Sequence, residues 1–297
     1  MHIPDQMLNG AVCPVTLTAG AVAVGAAFYF LKYSEDKVSD LRWAGVSALI
    51  FIMQMLNVPV ASGTSGHLLG GVLAASTLGI PRGILTISYI LLIQAVLFAD
   101  GGISALGANV LNMAVIGAGL GGFIYHTLNK RGLSQDISLA LASWASVVLA
   151  AVACTVEAAL SGAVDFGAMF NAMVPVHARI GFAEAILTVV CFRVFALMYG
   201  AVRNRIMVYR TVAASLILLL LAPFASQFPD GLEWAAASVQ LSMSESYPLF
   251  SLLKNYQVAS IGDSMLSVMT AGILGAVMVW FVIIGVSKTR GRLVTGQ

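Results

Sequence analysis

Apolar residues run through this chain in long blocks separated by short polar breaks, with neither the strict alternation of a half-buried strand nor the single stripe of a surface helix. Nine blocks stand out, at residues 11–31, 43–60, 67–80, 84–99, 110–126, 137–160, 180–201, 211–224 and 264–287. A helix needs about 17 to 25 residues to cross a hydrocarbon core of about 30 Å, and most of the blocks are that long. The pattern therefore predicts an all-α integral membrane protein with about nine membrane segments. The third and eighth blocks are short for a full span. The third follows a glycine-rich loop and stops at Pro81, which points to backbone buried inside the bundle, because non-helical chain at membrane depth is tolerated only there or along a cavity.

Composition agrees with that pattern. Of 297 residues, 59% are hydrophobic and 9% charged, too little polar surface to wrap a water-facing core. Lys and Arg number 15 against 13 Asp and Glu, with no basic stripe outside the apolar blocks, so nucleic acid is excluded as a partner and membrane lipid is expected instead. Cytoplasmic loops collect Lys and Arg. Here Lys32, Lys37 and Arg42, then Arg82, then Lys130 and Arg131, then Arg203, Arg205 and Arg210, and finally Lys288, Arg290 and Arg292 fall in alternate connections. The expected orientation is N-terminus out and C-terminus in, as a multi-pass protein of the cytoplasmic (inner) membrane. Cys13, Cys154 and Cys191 each lie in or against an apolar run and read as packing residues.

The first ten residues, MHIPDQMLNG, carry no Lys or Arg and so lack the charged region that opens a signal peptide, and Met1 is expected to be retained. Pro4, Asp5, Asn9 and Gly10 are turn formers that predict an irregular arm leading into the first helix. A histidine in second place has a chemical capability that an interior one lacks. The α-amine, the amide nitrogen of His2 and its ring Nδ1 can close fused five- and six-membered chelate rings on one metal ion, which forces the three nitrogens nearly into a plane. A fourth nitrogen would complete the square that d8 Ni(II), and also Cu(II), favours, whereas Zn(II) prefers a tetrahedron. The candidate is His67 in ASGTSGHLLGG, on the same outer side by the charge pattern. The alternatives are a solvated His2 on a frayed terminus and a His67 that hydrogen-bonds in the core. An ionisable residue inside a membrane bundle is expensive and usually faces a cavity. His126 is expected to snorkel at the inner end of its helix, and His177, beside Arg179, to be structural.

Three segments in order, MHIPD at the N-terminus, GTSGHLLGG at residues 63–71 and QAVLFADGGISALGANVLNMA at residues 94–114, resemble the substrate-binding component of nickel and cobalt energy-coupling factor transporters. The resemblance covers about residues 1–201. It implies a seven-helix membrane bundle whose N-terminal arm folds back inside. It also implies that Met1, His2 and His67 bind the transported metal, Ni(II) or Co(II), with no organic cofactor. Gln6 and Met7 depart from the usual Gly-aromatic pair, which bears on how the arm packs and leaves every ligand in place. Within the third segment, Asp100, Gly101, Gly102, Gly107 and Asn109 are expected either to support the arm or an imidazole or simply to make a tight helix connection.

Residues 202–297 read as a second unit, two helices flanking an outer loop of about 35 residues from 225 to 261. Its PDGLE sequence, residues 229–233, resembles a small domain of that name found as a separate accessory subunit or fused to such components. By chemistry Pro-Asp-Gly is a turn, and Asp230, Glu233 and Glu245 are expected to be solvated rather than ligands. Small residues recur along the first helix at Ala19, Ala23 and Ala27, with Ala21 and Gly25 on the neighbouring row, a spacing that lets helices approach closely. In the resembled transporters such a surface docks the transmembrane coupling (T) subunit, and packing within the chain is the alternative. No GxxxxGK[ST] phosphate loop is present, so ATP hydrolysis is expected of separate ATP-binding cassette subunits, and this chain is expected to be a transport protein and no enzyme. Two rival readings are a related component for an organic vitamin, which would not need Met1 and His2, and a rhomboid-like protease using Ser65 of GTSG with His177 as base.

Overall fold

The computed structural model describes residues 1–33, 38–60, 63–200, 204–241, 243 and 251–295. The chain is helical almost throughout, with α1 (Val12–Lys32), α2 (Asp40–Gln54), α3 (Gly71–Leu78), α4 (Ile80–Phe98), α5 (Leu106–Lys130), α6 (Gln135–Leu160), α7 (Phe166–Tyr199), α8 (Asn204–Leu221), α9 (Gly231–Ser238) and α10 (Met265–Thr295). Seven of these are long and apolar enough to cross a membrane: α1, α4, α5, α6, α7, α8 and α10.

Two of the nine expected segments are therefore not spans. The block at 43–60 becomes α2, which stops at Gln54 because Val58–Pro59 (β1) pairs antiparallel with Ser65–Gly66 (β2) and turns the chain back on itself. At 15 residues α2 is about 22 Å long. It is a core element, buried at every position from Trp43 to Gln54, and the Trp43 indole N–H donates to Thr86 Oγ1 at 2.8 Å. The block at 67–80 shrinks to the eight residues of α3, entering from an irregular stretch that carries His67, as its glycines and Pro81 foretold. The eighth block, expected to be short, is instead a full span, because the helix begins at Asn204 and a final tight turn carries it to Phe224.

Helix α7 is longer than its apolar block. Asp165 caps it by accepting from the Ala168 N–H at 2.8 Å, and Pro175 lies inside rather than ending it. Its 34 residues, about 51 Å, exceed the hydrocarbon thickness, so one end projects beyond the span, and α9 packs against it. The C-terminal helices α8 and α10 pack on α2. The Tyr199 and Thr211 hydroxyls meet at 2.7 Å where α7 and α8 approach α2, and Ser287 of α10 bonds Asp40. The expected division near residue 202, together with Lys37, Arg203 and Glu245, lies outside the described residues. On α1 the row Ala21 and Gly25 is exposed, while the other small-residue row winds from exposed Ala19 to buried Ala27.

Candidate functional site

Residues 1–8 form an arm tucked into one end of the bundle. Met1, Ile3, Met7 and Leu8 are buried, and turn chemistry before Val12 lets the chain double back. Its backbone is tied to the connection between α4 and α5. Ile3 N–H donates to Asn109 Oδ1 at 2.8 Å, Asn109 Nδ2 donates back to the Ile3 carbonyl at 3.0 Å, and Gly102 N–H donates to that same carbonyl at 2.8 Å. Asp5 Oδ1 accepts from both the N–H and the hydroxyl of Ser104. Glycine is required at 102, where any Cβ would strike the backbone of Asp5. Of the two expectations for this connection, the structure shows the supporting one. Gln94 and Asn109 stand at the starts of widened helical turns, 94–98 in α4 and 110–120 in α5, the kind of irregularity that concentrates at functional sites.

The arm delivers its nitrogens to His67. The α-amine of Met1 lies 3.1 Å from His67 Nε2, and the rings of His2 and His67 stack with centroids 5.0 Å apart. His67 Nδ1 faces the Leu68 carbonyl at 3.2 Å, which leaves the Nε2 lone pair toward the amine. Burial, followed by the positive amine and His2, pushes the His67 pKa down to about 3, so the ring is neutral near neutrality. In a square plane with metal–nitrogen bonds of about 2.0 Å, neighbouring nitrogens stand about 2.8 Å apart, close to the amine–imidazole separation seen here. Among the described residues no group of three or more His, Cys, Asp and Glu side chains is placed to hold a metal ion. A metal here would therefore need main-chain nitrogen.

Two carboxylates face these nitrogens. Asp230 Oδ2 receives the α-amine at 2.7 Å, and Asp100 Oδ1 lies 3.0 Å from His2 Nδ1. Burial works to raise both carboxyls, but the positive amine for Asp230 and His2 for Asp100, with the hydrogen bonds they donate, hold both below the usual carboxylate range. The expectation that Asp230 is solvated is thus overturned. It retains 17% of its side-chain exposure because the arm's terminus docks on it. Its other oxygen caps α9 by accepting from the Leu232 and Glu233 N–H groups, and Glu233 Oε2 accepts from the Asp230 N–H, leaving Glu233 itself exposed. A turn sequence gave the cap; nothing local pointed to a partner 229 residues away. Gly231 is needed because a Cβ there would meet the His177 ring at 2.8 Å.

Gln54, Gln94, Glu184 and Tyr256 were invisible in the sequence and all matter here. Tyr256 donates to Asp100 Oδ2 at 2.5 Å, and Glu184 accepts from the Leu69 and Gly70 N–H groups at 2.8 and 3.0 Å, pinning the stretch just after His67. His177 stays structural, with Nδ1 bonded to the Met173 carbonyl at 2.8 Å. Ser65 gives its hydroxyl to the Phe228 carbonyl at 2.7 Å, so the residues of the protease reading are each engaged elsewhere. His2, Gln54, His67, Asp100, Asp230 and Tyr256 all line one polar cavity of about 360 Å³.

Among the described residues, a helical bundle with seven helices long enough to span and a buried polar nitrogen site defines a multi-pass membrane protein. Residues 2–203 match the family described as the cobalt uptake substrate-specific transmembrane region, and residues 204–292 match the PDGLE domain. The chain belongs to that cobalt-uptake family, with a PDGLE domain at its C-terminal end. It is 31% identical to a fused nickel transport protein of Archaeoglobus fulgidus over 98% of both chains. It is also 31% identical to a cobalt transport protein of Clostridium cellulovorans over 66% of this chain and 79% of that one. A crystal structure of a truncated transition metal transporter superposes with a TM-score of 0.59 at 32% identity, over 67% of this chain and 99% of that one.

Proposed function

We propose that the protein captures Ni(II) or Co(II) at the outer face of the cytoplasmic membrane and passes it inward as the substrate-binding component of an ATP-driven energy-coupling factor transporter. The ion is held in a plane by the Met1 amine, the His2 amide nitrogen and Nδ1, and His67 Nε2, within a metal-binding unit of residues 1–201. Residues 202–297 form the PDGLE-type unit. The observation that carries the reading is the Met1 amine set 3.1 Å from His67 Nε2 with the His2 ring stacked alongside.

Loading exchanges protons for metal. The amine, the amide and the His2 Nδ1 that donates to Asp100 each give up a proton, so affinity falls in acid. The ion takes Nδ1 from Asp100, and Asp100 and Asp230 remain as carboxylates beside a dication whose charge they offset. Four in-plane nitrogens favour d8 Ni(II) by geometry. The energy comes from partners, since the sequence has no phosphate loop: a transmembrane coupling subunit, for which the exposed small-residue row of α1 offers a docking face, and a pair of ATP-binding cassette ATPases. Titration of the detergent-solubilised protein with nickel is expected to raise the d–d absorption of a planar, low-spin Ni(II) complex. An octahedral spectrum at saturation would overturn the proposed ligand set.

A further inference from the structure

A chain of hydrogen bonds joins the stretch after His67 to the ring of His2, and its direction can be fixed from one end. The Leu69 carbonyl can only accept, so Gln54 must present its amide nitrogen there, at 2.8 Å. Its oxygen is then committed to the other side, where it accepts from Gln94 Nε2 at 3.0 Å. The second N–H of that same Gln94 nitrogen reaches the Tyr256 hydroxyl at 3.1 Å, whose own hydrogen is given to Asp100. Both donors of Gln94 are spent, so only its oxygen can face His2, and it lies 3.2 Å from Nε2. An amide oxygen beside a ring nitrogen requires that nitrogen to be the donor. Reversing Gln54 would set two acceptors against each other at Leu69, and reversing Gln94 would set its oxygen against the Gln54 oxygen. Gln54 and Gln94 are both buried, with 2% and 0% exposure, which makes such a mismatch costly.

We propose that Gln54 and Gln94 are positioning residues that hold a hydrogen on His2 Nε2, so that when the Nδ1 hydrogen given to Asp100 is displaced, Nδ1 is the nitrogen presented to the metal. This rests on the reading of Met1, His2 and His67 as ligands. The choice of nitrogen matters because only Nδ1 closes a six-membered ring with the amide nitrogen of the same residue; the remote Nε2 cannot reach the ion that the amine and amide hold. His67 needs the opposite arrangement, Nε2 bare and Nδ1 donating, and its own Leu68 carbonyl supplies it. The two histidines are thus set in complementary tautomers by separate devices, and the relay ties the geometry of the second to the loop that carries the first. Outer partners of this kind are worth about 10- to 100-fold in metal affinity.

Planar Ni(II) is diamagnetic, so the nickel-loaded full-length protein with ¹⁵N-labelled histidine can be read by NMR. The native protein is expected to show a His2 Nε2–H that exchanges slowly with solvent. Gln94→Met, which removes the acceptor at similar size, should lose that slow exchange and weaken nickel binding by about 10- to 100-fold while the His67 signals stay in place. Gln94→Glu keeps an acceptor toward His2 and should restore the slow Nε2–H and most of the affinity. If Gln94→Met does not fold, Gln54→Met cuts the relay one bond further out, and weaker binding with an unmoved His67 is again expected. Native affinity in the Met variants, or equal loss in Gln94→Met and Gln94→Glu with the His2 Nε2–H undisturbed, would overturn the relay. His2→Ala separates the two levels: native nickel affinity in that variant would refute the ligand assignment itself, whereas its loss beside a native Gln94→Met refutes the relay alone.

Discussion

His67 sits where ordinary histidine chemistry has been removed in advance. The residue is 8% exposed, burial pushes its pKa down to about 3, and its Nδ1 bonds the Leu68 carbonyl, which leaves a single lone pair aimed at the Met1 amine. A ring that is already neutral costs no proton when a metal ion arrives, so the protons released on loading come from the amine, the amide and the His2 Nδ1 that faces Asp100. His67→Ala removes one in-plane nitrogen and should weaken nickel binding by more than about 100-fold, beyond the range of outer partners, with the protein still folded in detergent. Calorimetry that returned native affinity for this variant would remove His67 from the site. Both His2 and His67 were legible as candidates because second place in the chain and a glycine-rich intramembrane loop are local signals. Gln54 and Gln94 were not legible: a glutamine in an apolar helix carries no mark of what it faces until the helices are packed.

The PDGLE segment shows the same limit for a whole element. Pro-Asp-Gly and the later Glu encode a capped helix start, and α9 begins there with both capping bonds formed. What the local sequence does not contain is the docking of the N-terminal amine on Asp230. The charge account makes the consequence specific. Before loading, the amine places one positive charge against Asp230, while the His2 ring, donating from both nitrogens, is matched by Asp100; afterwards, a dication bound to a neutral amine and a deprotonated amide carries one. Asp230 therefore opposes the same charge in both states. Asp230→Asn should leave nickel affinity within about tenfold of native, yet loosen the arm, because a buried ammonium without its counter-ion is strongly disfavoured. The Met1 amine of the metal-free variant should be acylated faster by an amine-directed reagent than in the native protein; an unchanged acylation rate would show that Asp230 does not hold the arm. Helix α2 misled the span count for a related reason. A continuous apolar run reads alike whether lipid or protein covers it, and only packing between α8, α10 and the rest of the bundle shows that its partners are protein.

At the scale of the molecule, the bundle serves to hold a flexible terminus as though it were a rigid element. Burial of Met1, Ile3 and Met7, the paired bonds between Ile3 and Asn109, the Gly102 contact and the ion pair at Asp230 together fix the first residues against partners as far as 106 and 229 positions away. The fold class was readable from hydropathy and the irregular arm from its turn residues, and the arm's turn-back was implied by the family resemblance, while the closure of the site from both ends of the chain was not readable, since it joins residues 1–3 to 230 and 256. The central claim is that the α-amine of Met1 is itself a ligand, and one measurement addresses it directly. Adding a single residue before Met1, verified by intact mass, turns that amine into an amide and removes the five-membered chelate. The extended protein should lose high-affinity nickel binding and cellular uptake, while an equal addition after Gln297 should change neither. Nickel binding in the N-terminally extended protein as tight as in the native one would contradict the proposed site.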